Sequence, residues 1–108
     1  MAITAETRNG VSQLRIAGDM TIYTAADLKQ ELMQHMFQPG ELEIDLAEVS
    51  EMDSAGLQLL ILAKREALHG GRAMRLTGHS RAVLDVLDIC NLAPYFGDPV
   101  VISQGGDA

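Results

Sequence analysis

Apolar and polar residues along this 108-residue chain change period several times, and each change marks an element. Ile3–Arg8 and Val11–Ala17 read as two strands around Asn9-Gly10, the pair that best supplies the left-handed conformation of a tight hairpin turn. Thr24-Ala25-Ala26-Asp27 has the form of a capping box. Behind it Ala25, Leu28, Leu32 and Met36 recur at helical spacing, with Met33 on the flank. Pro39-Gly40 is expected to stop that helix. Leu42, Ile44 and Leu46 then alternate with Glu43 and Asp45, the period of a strand Glu41–Leu46 with one buried face. A short polar segment, Ala47–Met52, follows.

The second half repeats the alternation. A helix from about Ser54 to His69 is almost wholly apolar through Leu62, turns polar at Lys64-Arg65-Glu66 and ends at Gly70-Gly71. Met74 and Leu76 suggest another strand. Ser80 is placed to cap a helix through Val83, Leu84, Leu87 and Ile89, ending near Asn91. Pro94 and Gly97-Asp98-Pro99 break the chain before a last apolar strand, Val100–Ile102. Strands alternating with helices call for crossover connections and an α/β layer architecture. The opening hairpin makes the sheet mixed. The expectation is a mixed, mainly parallel sheet of about five strands, with helices mainly on one face because Glu43 and Asp45 face away from the core. Residues 1–103 are expected to form one domain, with 104–108 as a disordered tail.

Composition narrows the function. Lys+Arg 8 against Asp+Glu 15 leaves a net charge of −7, which disfavours nucleic acid and anionic membranes as partners. With no Trp, two Tyr and two Phe, there is little to stack on bases. Cys90 is the only cysteine, so an internal disulfide is ruled out, and its apolar setting predicts a buried, inert thiol. The first residues carry neither a basic nor an apolar signal segment, and the apolar run Leu59–Ala63 is too short to cross a bilayer. A cytoplasmic protein without membrane insertion is expected.

Little in the chain is chemically armed. His35, His69 and His79 are far apart and show no paired ligand spacing, so they read as isolated surface histidines, and no metal or cofactor is expected. A nucleophile elbow needs G-x-S-x-G where this chain has Met52-Asp53-Ser54-Ala55-Gly56, with no histidine placed as base. An aspartyl-phosphate receiver site would need an acidic pair after the first strand, where Thr7-Arg8-Asn9-Gly10 stands. No catalysis is expected. What remains is Asp53-Ser54-Ala55-Gly56 at a helix start, where backbone N–H groups lack partners and the dipole favours an anion. Ser54 can cap that helix, in which case Ser54→Ala costs about 0.5–2 kcal/mol. It can also carry a phosphate that those N–H groups would welcome. Ser50, Ser80 and Thr21 are weaker candidates by the same logic.

With these residues in view, the chain from about Ile3 to Ile102 resembles a STAS domain of the anti-sigma-factor antagonist type. The resemblance rests on Leu42–Leu46, then Met52-Asp53-Ser54-Ala55-Gly56-Leu57, the apolar helix, and the Asn91-Leu92 break before the last strand. It implies that Ser54 is phosphorylated by a partner serine kinase that is itself an anti-sigma factor, with a serine phosphatase in the same pathway. It further implies a partner-binding surface made by Asp19, Thr21, Asp53, Ser54, Ala55 and Gly56, with Gly18-Asp19-Met20-Thr21 as its adjoining loop. Some family members carry an acid where Thr21 stands. Thr21–Ala26 and Tyr95–Pro99 are also similar to STAS proteins that accompany chemotaxis signalling proteins. A second branch of the family supplies the alternative reading, a constitutive adaptor subunit of a chemotaxis complex or a lipid-transport ATPase in which Ser54 only caps.

Overall fold

The structure, a computed structural model, describes residues 3–38 and 40–90. In chain order these form β1 (Ile3–Arg8), β2 (Val11–Met20), α1 (Ala25–Met33), β3 (Glu41–Met52), α2 (Ser54–His69), β4 (Met74–Thr77) and α3 (Arg81–Cys90). The strands lie in the order β1-β2-β3-β4. β1 and β2 are antiparallel, and β3 runs parallel to both β2 and β4. The sheet is therefore mixed and mainly parallel, with four strands among the described residues. The expected fifth strand, Val100–Ile102, lies outside them, as do Asn91, Pro94, Gly97-Asp98-Pro99, the 104–108 tail and the side chain of Cys90.

The hairpin forms as the sequence predicts. Arg8 pairs with Val11, and both turn residues take positive φ, 55° at Asn9 and 80° at Gly10. Leu14, Ile16, Leu42, Ile44 and Leu46 are fully buried on one face of the sheet, where they meet Leu28, Leu32, Leu60, Ala63 and Val83 in a single core. Burying each such leucine or isoleucine is worth about 1.5–3 kcal/mol. The helices lie on that apolar side. The other face carries a polar ladder: Gln13 and Thr77 donate to Glu43, Arg75 pairs with Glu43 at 3.0 Å, and Arg15 with Asp45 at 3.4 Å.

Two strands run further than their alternation suggests. β3 continues through Ala47–Met52, and β2 continues from Ala17 to Met20. The register explains why. Arg15 faces Asp45 but Ala17 faces Glu48, and Gly18 faces Val49 but Asp19 faces Glu51, so β3 carries an extra residue at each of two bulges. Each bulge resets the period of two, so that Val49, three positions after Leu46, is the next buried residue. The Asp45 carboxylate accepts the Ala47 N–H at 2.9 Å at the first of them.

α1 also departs from its prediction. No capping box forms: Thr24 Oγ1 instead accepts the Thr21 N–H and donates to the Asp19 carbonyl, closing the turn before the helix. The helix ends at Met33, and the turns that follow keep Met36 buried. Below them Arg72 is 7% exposed, and its guanidinium donates to the carbonyls of His35, Gly40 and Glu41. Burial lowers its pKa. His79 is buried at 2% exposure, so it is not a surface histidine, and Ile89 is 82% exposed rather than part of an apolar setting. α3 starts as predicted, with Ser80 Oγ accepting the Val83 N–H.

Candidate functional site at the mouth of the second helix

β2 and β3 end side by side, Met20 against Met52, so the turn after β2 and the first turn of α2 meet at one end of the sheet, beyond its two inner strands. Asp53 joins them. It is the N-cap of α2, with φ −123° and ψ −169°, and its Oδ1 accepts the N–H groups of Ala55 at 2.9 Å and Gly56 at 3.2 Å. Its Oδ2 accepts the Ile22 N–H at 3.0 Å, and its own N–H donates to the Met20 carbonyl at 3.2 Å. These bonds hold the Asp53 carboxyl below its ordinary pKa of 3.8, the Ile22 bond first, against partial desolvation. The carboxylate therefore stays ionised at neutral pH.

Ser54 is thus not the cap. It is the first residue of the helix and is exposed. Aspartate and serine both cap well, and only Asp53 has the extended backbone the cap position needs. The N–H groups of Ala55 and Gly56, which a phosphate on Ser54 was expected to find free, are already taken by Asp53.

The other hydroxyls weighed as phosphate acceptors are engaged. Ser50 Oγ donates to Asp19 Oδ1 at 2.9 Å, Ser80 Oγ caps α3, and Thr21 Oγ1 accepts the Tyr23 N–H. Among the described residues Ser54 Oγ has no hydrogen-bond partner.

Ser54 apart, the expected partner-binding residues divide into three groups. Asp19, Thr21 and Asp53 line one open groove together with Tyr23, Glu51 and Asp85, and among the described residues no Lys or Arg lines it. Ala55 is half-buried and faces the neighbouring cleft between α1 and α2. Gly56 is buried and offers no surface: a Cβ there would run into the backbone carbonyl oxygen of Met20. Of the loop expected at Gly18–Thr21, Gly18 to Met20 belong to β2, and Met20 is fully buried. Ile22 and Tyr23 stand at the same place, Ile22 bonded to Asp53 and Tyr23 on the groove wall. Two exposed apolar residues in a turn look like ordinary helix approach until their position beside Asp53 is known.

Among the described residues no three His, Cys, Asp or Glu side chains are grouped to hold a metal ion, and no helix is long and apolar enough to cross a membrane.

The role of Asp53 can be checked directly. Asp53→Ala should lower the Tm by about 4–8 °C, and Ser54→Ala should change it by less than about 2 °C. Because the folded pKa of Asp53 is depressed, the wild-type margin over Asp53→Ala is full above pH 3.8 and is lost as pH falls through the lower folded value. Thermal scans of both proteins across the acid range test the sign.

Comparison with known proteins agrees with this architecture. The family described as "Mlab, STAS domain" matches residues 3–97, and the chain belongs to the STAS-domain family. It is similar to an anti-sigma-B factor antagonist of Bacillus subtilis, 31% identical over 94 residues, covering 87% of this chain and 85% of that protein. Among solved structures, an anti-sigma factor antagonist from Mycobacterium paratuberculosis matches with a TM-score of 0.80 at 23% identity, over 94% of this chain and 87% of that one. The anti-sigma factor antagonist SpoIIAA in its unphosphorylated form matches with a TM-score of 0.69 at 20% identity, over 92% and 89%. At these identities the two structures speak for the fold.

Proposed function

We propose that this protein is a cytoplasmic anti-sigma-factor antagonist that binds an anti-sigma factor and is switched by phosphorylation of Ser54. The observation that carries the reading is the state of the Ser54 hydroxyl. It is exposed, makes no hydrogen bond among the described residues, and stands at a helix start that Asp53 bonds from both sides. Its kinase would transfer the γ-phosphoryl group of ATP to Oγ, releasing ADP and the hydroxyl proton. Since Asp53 supplies the cap, the fold does not depend on Ser54 keeping its hydroxyl.

The surroundings suit a docking surface. Ile22 is 69% and Tyr23 is 92% exposed, adjacent side chains that offer a partner a pair of anchors. The acidic groove beside them favours cations at the rim of that partner. A serine phosphatase would reset the switch. The similarity to anti-sigma-B factor antagonists supports the identity of the partner as an anti-sigma factor.

Incubation with the partner kinase and ATP should place one phosphate on Ser54, and Ser54→Ala should abolish it. Mass spectrometry that finds the phosphate on Ser50, Ser80 or Thr21 overturns the assignment.

A further inference from the structure

A second groove runs between α1 and α2, on the far side of Ala55 from the acidic one. Its walls are Ala25 and Lys29 on α1 and Ala55, Leu59, Leu62 and Arg65 on α2. Along α2 these positions follow helical spacing, so they form one stripe about 15 Å long at 1.5 Å per residue. Leu59 makes the floor, and Leu62, Ala55 and Ala25 are half-buried shoulders. Its length matches a helix of about three turns, and two helices present no free backbone edge to an extended strand.

Charge selects the kind of helix. The chain as a whole is acidic, yet among the described residues no carboxylate lines this groove, and both ionised residues on its walls are cations. Neither cation can be neutralised along its own helix. The positions three and four residues from Lys29 are Ala25, Ala26, Leu32 and Met33, and those around Arg65 are Ile61, Leu62, Leu68 and His69. Among the described residues both are exposed and neither forms a salt bridge.

We propose that the α1–α2 groove is a second docking surface, which takes an amphipathic acidic helix of a partner protein. Its apolar face would seat on Leu59 and Leu62, and carboxylates on either flank would pair with Lys29 and Arg65. The surface is separate from the acidic groove, and the inference does not rest on the reading of Ser54 as a phosphate acceptor.

The test uses the whole ¹⁵N-labelled protein and a stapled helical peptide of about three turns, with leucines at helical spacing flanked by glutamates. Saturable shifts should fall on the amides of Ala25, Lys29, Ala55, Leu62 and Arg65. The double variant Lys29→Glu with Arg65→Glu should bind about tenfold more weakly, and Lys29→Gln with Arg65→Gln should fall between. All four substitutions are at exposed positions, so circular dichroism should be unchanged. Equal binding of the same peptide with lysines in place of glutamates overturns the proposal. So do shifts centred on Asp19 to Tyr23, no saturation at millimolar peptide, or an unaffected double variant. Concentration-dependent shifts of these amides in the protein alone would give the groove to a second copy of the chain, which also overturns it.

Discussion

Gly56→Ala is expected to destabilise the protein by about 3 kcal/mol, a fall in Tm of more than about 10 °C. Helix propensity alone predicts the opposite sign, since alanine is favoured over glycine inside a helix by about 1 kcal/mol. The contact decides the outcome. A Cβ on Gly56 would overlap the Met20 carbonyl oxygen and lie 2.8 Å from Met20 Cβ and 2.9 Å from its carbonyl carbon. Those are backbone and near-backbone atoms at the end of β2, where the Met20 carbonyl already accepts the Asp53 N–H, so they cannot swing aside. The first turn of α2 would have to back away from the sheet, breaking the Asp53 bonds to Met20 and Ile22 together. Shortening Met20 does not rescue the variant, because the obstacle is its carbonyl. Chemical denaturation measures the effect. An alanine variant within about 1 kcal/mol of wild type would mean that α2 can shift off β2 at little cost.

The same contact shows where the sequence was legible. Leu42, Ile44 and Leu46 announce a strand because one face is buried and the other is not, and the structure agrees. Asn9-Gly10 announces a hairpin because few other pairs tolerate two positive φ values. These are local rules with local causes. Ser54 and Asp53 are adjacent residues that both cap well, so local rules cannot rank them. The choice falls to bonds made with Met20 and Ile22, more than thirty positions away. The extension of β3 is hidden likewise, because two bulges break an alternation that would otherwise continue through Met52. Arg72 and His79 look like surface residues by type. The burial of Arg72 depends on three carbonyls that converge on it only when α1 and β3 have packed. By sequence alone, the glycine of Asp53-Ser54-Ala55-Gly56 belongs to a phosphate-welcoming mouth or a contact surface. Its physical reason is the close approach of α2 to β2.

Phosphorylated Ser54 is expected to bind the nucleotide-loaded partner kinase about a hundredfold more weakly than the unmodified protein, on the order of 2.7 kcal/mol. Ser54→Asp should lose at least about tenfold, and Ser54→Ala should bind nearly as well as wild type. The acidic groove gives no reason for this by itself, since a partner with a basic rim would be attracted by further negative charge. Three short-range effects oppose it. The backbone donors that could have held a phosphate, Ala55 and Gly56 N–H, are occupied by Asp53 Oδ1, so the new dianion gains no nest. Docking on Ile22 and Tyr23 would strip water from that dianion, which is costly without matched partners. A kinase must also aim phosphoryl oxygens at Ser54 Oγ, so after transfer two anions face one another. All three act within a screening length of roughly 8–10 Å. Arg65, about 16 Å along the helix at 1.5 Å per residue, lies beyond that reach, and Arg65→Glu should leave kinase affinity unchanged. Titration calorimetry on the four proteins separates the cases. Equal affinity for the aspartate and alanine forms would remove Ser54 from the contact and make the binding of this partner constitutive.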